Sequence, residues 1–168
     1  PTGLAKLMNK NLQDAFEWLE QNPVHDSHDF LWDHQKGAIA GTDDETGIEQ
    51  GLRRGTRKLL VQMATGTGKT WMAAAEVHRL LESGLVNRVL FIADRTNLTR
   101  QAAIEFTNFD AGGGLDLGEI YKVSRVRGGQ YPDKAEIVVS TLQSMYSLLE
   151  NHKEIEIPQD AFDLVITD

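Results

Sequence analysis

The sequence predicts an α/β fold, a mostly parallel, doubly wound sheet with helices on both faces, and three observations carry that prediction. From Lys58 onward, short runs rich in Val, Ile and Leu recur at 58–63, 88–93, 119–124, 136–140 and 162–167. Between them lie longer stretches whose apolar residues repeat at helical spacing. Several of the short runs are apolar at successive positions, as in strands covered on both faces. Strand–helix–strand alternation is the pattern of parallel strands joined by crossover helices.

Taken in order, residues 1–57 read as an N-terminal helical cap and 58–168 as the main lobe. Leu4, Leu7, Leu12, Ala15, Phe16 and Leu19 predict a leading helix that Pro23 breaks, and "LWDHQKGAIA" (31–40) starts another. "GTDDETG" (41–47) is an acidic surface loop. "KLLVQM" (58–63) is the first predicted strand. The helix over 69–82 carries Ala73, Val77, Leu80 and Leu81 on one face, and Gly84 is placed to end it. "RVLFIA" (88–93) is the second strand, and Thr96 is a candidate N-cap for a helix over 97–107. "EIYKVS" and "EIVVS" follow as strands, separated by the glycine-containing loop 127–134; a first glycine-rich loop spans 110–118. Leu142, Met145, Tyr146 and Leu149 place a helix over 141–150, and "FDLVIT" closes as a strand.

With 168 residues the chain holds one ordinary domain with a real core. A net charge of −8 argues against a protein that coats nucleic acid by bulk charge. Two basic groups stand out, Arg53, Arg54, Arg57 and Lys58, then Lys122, Arg125 and Arg127; either is solvated surface or faces DNA. The absence of cysteine excludes disulfides and thiolate metal sites and agrees with a cytoplasmic location. No apolar run is long enough to cross a bilayer, and "PTGLAKLMNK" lacks a signal-peptide core, so a soluble protein with no membrane partner is expected.

The stretch "QMATGTGKTW" (62–71) is free of acid and lies between a predicted strand and a predicted helix. Gly66 and Gly68 let the backbone turn tightly, so that successive N–H groups can face phosphate oxygens. The start of the following helix adds its positive end. Lys69 then supplies an ammonium for the β- and γ-phosphates and Thr70 a hydroxyl for Mg²⁺, whereas a carboxylate within such a turn would repel the ligand. A βα turn that binds nothing is the alternative.

At Met63 the general phosphate-loop pattern asks for glycine. In that departure "MATGTGKT" resembles motif I of superfamily 2 helicases and translocases, and is most similar to the motor subunits of type I and type III restriction enzymes. "LWDHQKGAI" resembles the Q-type motif, which implies that Gln35 reads the adenine edge, a task suited to an amide that donates and accepts at once; an ordinary helix glutamine is the alternative. "FIADRTNLTRQ" (91–101) resembles motif Ia as it occurs in the restriction motors and implies that Arg95, Thr96 and Gln101 touch a nucleic-acid backbone. A local Asp94–Arg95 ion pair is the other reading. "VVSTLQSMYSLL" (138–149) resembles the next segment. There Ser140 or Thr141 can cap a helix regardless of function, and the family adds a DNA contact for Thr141. "FDLVITD" resembles the Walker B strand, which implies that Asp168 serves Mg²⁺ opposite Thr70.

The resemblance covers about residues 31–168 with its motifs in order; residues 1–30 match no named family. It implies a RecA-like P-loop lobe, the first of a motor, binding Mg·ATP through Thr65, Gly66, Thr67, Gly68, Lys69 and Thr70, with Lys69 and Asp168 as catalytic groups. The implied activity is ATP hydrolysis coupled to movement along duplex DNA in the restriction subunit of a type I endonuclease, alongside separate specificity and modification subunits. The alternatives are another superfamily 2 helicase of repair or RNA type, or a nucleotide-binding module without motor activity. The family's catalytic glutamate, second lobe, arginine finger and nuclease domain are not among these residues, so the chain alone is expected to bind nucleotide and hydrolyse it poorly. His25, Asp26, His28, Asp29, Asp33 and His34 resemble a metal cluster on paper but read better as an exposed polar loop, and Trp18, Trp32 and Trp71 as packing residues.

Overall fold

In the computed structural model the described residues are 3–151 and 155–168, with side chains from residue 11 onward; Leu4 and Leu7, expected on the first helix's apolar face, lie outside the described side chains. The chain divides into two compact units, Pro1–Leu85 and Val86–Asp168.

The first unit is helical: α1 (Gly3–Gln21), α2 (Val24–Ser27), α3 (Asp33–Ala40), α4 (Ile48–Arg53) and α5 (Lys69–Glu82). Pro23 separates α1 from α2, its fixed φ of −62° suiting the residue that precedes a helix start. The long α5 ends as its sequence predicts: Gly84 adopts φ +74°, and the Leu85 N–H reaches back to the Leu80 carbonyl at 3.1 Å. Ala15, Leu19, Val24, Ile39, Val77 and Leu80 are buried. Arg79 of α5 ties the helices together from the inside. Its guanidinium, 0% exposed, donates to the Leu19 and Asn22 carbonyls, to Ser27 Oγ and to the Glu49 carboxylate at 2.6 Å.

The predicted strand at 58–63 is not formed. The segment has no regular secondary structure and pairs with no strand, and Leu60 is 96% exposed. A β-run becomes a strand only where a second strand accepts its hydrogen bonds, and among the described residues the first unit has no other strand.

The second unit holds β1 (Val89–Ala93), α6 (Thr96–Thr107), α7 (Leu117–Ile120), β2 (Val123–Arg125), β3 (Ile137–Thr141), α8 (Leu142–Asn151) and β4 (Leu164–Thr167). The strands form one parallel sheet in the order β2-β3-β1-β4. Successive residues of β1 face opposite sides. Phe91 meets Phe106 of α6 edge-on at 5.3 Å, whereas Leu90 and Ile92 pack with Val138, Met145 and Leu148 toward α8. The central strands β1 and β3 are therefore covered on both faces, as their doubly apolar sequences require, whereas Val165 of β4 is exposed. Arg88 braces the loop after β2, donating to the Pro132 and Ala135 carbonyls and lying over the Tyr131 and Phe162 rings.

Two local expectations change. The predicted strand 119–124 divides into α7 and β2, because Asp116 and Glu119 form a capping box, the Asp116 N–H donating to the Glu119 carboxylate at 2.8 Å, and this starts a helical turn. Thr96 is the first residue of α6, not its cap. Arg95 occupies the cap position and makes no side-chain cap bond.

Candidate nucleotide and nucleic-acid sites

The 64–70 loop turns through two left-handed glycines, Gly66 at φ +80° and Gly68 at φ +74°. Gly68 is the residue before α5, and that fourteen-residue helix has no acid in its first turn. The Ala64 carbonyl gathers the loop. It accepts from Thr67 Oγ1 at 2.6 Å, from the Thr67 N–H at 3.4 Å and from Lys69 Nζ at 3.4 Å. Thr65 and Gly66 are exposed, and Thr67, Gly68, Lys69 and Thr70 are half-buried.

This loop is held from α3. Gln35 is 5% exposed, its Oε1 accepts from the Trp32 N–H at 2.9 Å, and its Nε2 donates to the Thr67 and Gly68 carbonyls at 3.1 Å each. The left-handed backbone favours glycine at Gly68, and a Cβ there would stand 2.4 Å from that Nε2 and displace it from the loop carbonyls. The neighbouring His34 also reaches the Thr67 carbonyl through Nε2, at 3.1 Å. With its carbonyls engaged from outside, an acid-free turn of this kind leaves amide hydrogens for an anion, and the residues present fit a phosphate group. Beside it a cavity of about 520 Å³ opens within the first unit, lined by Asp33, His34, Thr42, Ile48, Met63 and Thr67 among others.

In the second unit the strand ends share one edge. Register pairs Ala93 with Thr141, and the Asp168 N–H continues the β4 ladder onto the Ile92 carbonyl at 2.9 Å. Asp168 is exposed at this edge. Carboxyl ends of parallel strands are where α/β sheets bind their ligands. Arg95 and Thr96 are exposed just beyond β1, Arg95 lying 3.5 Å from Asp94 in a pair that is three-quarters or more exposed on both sides. Gln101 is exposed on α6 and donates to Glu105 at 2.8 Å. Thr141 Oγ1 accepts from the Ser144 N–H at 3.1 Å and so caps α8, as its position predicts. Thr70 belongs to the first unit and Asp168 to the second.

Among the described residues no group of histidines and carboxylates could hold a metal ion. The 25–34 stretch is not wholly an exposed loop either. His28 is 3% exposed and its Nε2 lies 3.2 Å from His78 Nδ1, a contact across fifty positions that no local pattern announces. Two of the tryptophans expected to pack are exposed: Trp71, edge-on to Phe30, by 37%, and Trp32, beside the His34 ring, by 59%. One group went unnoticed in the sequence, and one that stands out there makes a contact no local pattern announces. Glu76 lies fully inside with both carboxylate oxygens lacking a hydrogen-bond partner, and burial, reinforced by Glu49 and opposed by Arg79, holds its pKa well above the usual carboxylate range. Arg125 reaches back onto α6, donating to Thr96 O and Thr99 Oγ1.

The chain is similar to several known proteins. The family model described as "Type III restriction enzyme, res subunit" matches residues 30–168. The chain is 28% identical over its whole length to the type I restriction enzyme EcoKI endonuclease subunit of Escherichia coli K12. It is 30% identical over 71% of its length to the EcoAI endonuclease subunit of Escherichia coli. It spans 14% of the length of each of these relatives. Among solved structures, the UvsW helicase from bacteriophage T4 aligns with a TM-score of 0.46 at 21% identity, over 68% of this chain and 36% of that one.

Proposed function

Because this chain belongs to the family of the type III restriction enzyme res subunit, which it matches over residues 30–168, we propose that it is the nucleotide-binding lobe of an ATP-dependent motor acting on duplex DNA within a type I restriction endonuclease. The observation that carries this reading is the 64–70 loop: two left-handed glycines, no acid, and a lysine at the start of a long helix. In the proposed complex the loop amides of Thr65, Gly66 and Gly68 face the phosphates, Thr67 and Lys69 leave the Ala64 carbonyl for them, the Lys69 ammonium going to the β- and γ-phosphates, and Gln35 keeps the loop in shape. Gln35 Oε1 retains a lone pair for the N6–H of adenine, whereas donating to N7 requires Nε2 to leave one of its two carbonyls. Thr70 and Asp168 carry over from the family pattern as the magnesium residues. When bound, Mg·ATP supplies the phosphoanhydride and the charge neutralisation; the chain's residues position it and stabilise developing charge. Arg95, Thr96, Gln101 and Thr141 are the proposed contacts to the DNA backbone, and the exposed Asp94–Arg95 pair is weak enough to yield to a phosphate.

The proposed setting is a cytoplasmic complex with specificity and modification subunits. Among the described residues, no helix is long and apolar enough to cross a membrane. The test is a thermal melt with Mg·ATP. At about one hundred times the dissociation constant, binding should stabilise the fold by roughly 2.7 kcal/mol. Lys69→Ala should abolish the shift while lowering the melt without nucleotide by no more than about 1 kcal/mol, the loss of one long hydrogen bond to the Ala64 carbonyl. A parent protein that shows no shift at saturating Mg·ATP would refute the reading.

A further inference from the structure

The end of β2 carries a concentration of positive charge that no carboxylate among the described residues pairs with. Val126 packs into the core on the α8 side, so Arg125, which precedes it, points toward the side of α6, and Arg127 follows in the turn it closes with Gln130. Arg125 confirms that direction by donating through Nη2 to the Thr99 hydroxyl at 3.0 Å and the Thr96 carbonyl at 3.3 Å, both in the first turn of α6. Arg100, the next residue after Thr99, is exposed, and so is Arg127. The first turn of α6 contains no acid, and its cap position is another arginine, Arg95.

Among the described residues no carboxylate pairs with Arg100, Arg125 or Arg127, although the chain carries a net charge of −8. Arg125 Nε is buried without an acceptor. Cations at the positive end of a helix are unfavourable, and neighbouring guanidinium groups repel one another. In agreement, burial and then the charges of Arg127 and Arg100 lower the pKa of Arg125. Such an arrangement is poor for stability and well suited to an anion with several oxygens spaced along a chain. The planar guanidinium fork matches a phosphodiester.

We propose that Arg100, Arg125 and Arg127 form a phosphodiester-binding surface at the start of α6, holding the backbone of a nucleic-acid strand without reading its bases. Arg100 and Arg127 make the contacts, and Arg125, fastened to α6, positions the surface and adds charge behind it. The inference rests on the nucleic-acid reading above and extends it from the residues after β1 to those after β2.

The experiment measures binding of fluorescently labelled duplex DNA of two unrelated sequences by anisotropy over a range of salt concentrations. It compares the parent, Arg100→Gln/Arg127→Gln, and Arg125→Gln. Each lost phosphate contact should lower the slope of log affinity against log salt by about one, so the double variant should lose about two, equally for both sequences. Because Arg100 and Arg127 are exposed, the double variant should keep the parent's melting temperature and its response to Mg·ATP. A parental slope in a folded double variant overturns this inference alone. A parent that binds neither DNA overturns the nucleic-acid reading and this inference with it. Loss of inorganic tripolyphosphate binding with DNA binding unchanged would assign the arginines to a free polyanion and also overturn it.

Discussion

The side-chain amide of Gln35 donates to the carbonyl of Gly68 at 3.1 Å, so a residue of α3 holds the last residue of the phosphate loop before α5 begins. The same nitrogen holds Thr67, and the oxygen accepts from Trp32. Replacing Gln35 with Ala leaves one donor and two acceptors without this partner and should cost about 1–3 kcal/mol. Gln35→Glu keeps the size but removes both donors and turns a negative charge toward the carbonyls. It should weaken the Mg·ATP-induced rise in melting temperature more than it lowers the melt itself, and equal loss in both would show that the amide serves stability alone.

Glu76 makes stability depend on pH in an unusual direction for a carboxylate. Its folded pKa is raised above the ordinary 4.5 by burial and by Glu49. The neutral acid therefore contributes stability that is fully present below the unfolded pKa, and that contribution is lost as pH rises through the folded value. Glu76→Gln, which stays neutral, should raise the melting temperature at neutral and alkaline pH and flatten its decline. Melts across the acid-to-alkaline range read this directly, and a parallel curve for the variant would contradict it.

Arg79 has no exposed surface and holds α1, α2 and α4 to α5 through hydrogen bonds to carbonyls, a hydroxyl and Glu49. Arg79→Ala leaves the largely buried Glu49 unpaired and should cost about 3–5 kcal/mol in a urea titration. Arg79→Lys should recover little of this, since an ammonium cannot span the same fork of acceptors.

Thr141 can be split into its two roles. Its hydroxyl caps α8 through the Ser144 N–H, so Thr141→Ala should cost about 0.5–2 kcal/mol. Thr141→Ser keeps the cap and should restore stability. If the threonine also touches DNA through its hydroxyl, Ser restores affinity as well; affinity unchanged in the folded Ala variant would leave capping as its sole task.

What the sequence alone determined is local. The bounds of α5 agree with the predicted 69–82, and Gly84 ends it because only a left-handed residue closes that turn. The strands β1, β3 and β4 follow their apolar runs within a residue or two, and Thr141 caps the next helix. The turn chemistry of Gly66 and Gly68 was legible for the same reason: backbone sign is a property of one residue and its neighbours. Only tertiary structure decided the rest. Val- and Leu-rich 58–63 is a good strand without a ladder in its own unit, and a ladder depends on a distant partner. The amide of Gln35 meets Gly68 across thirty-three positions, His28 meets His78 across fifty, and Arg125 meets Thr99 across twenty-six. Periodicity shows which face of an element is buried. Which polar group waits on the other side is set by how helices and strands pack, and that information is spread over the whole chain.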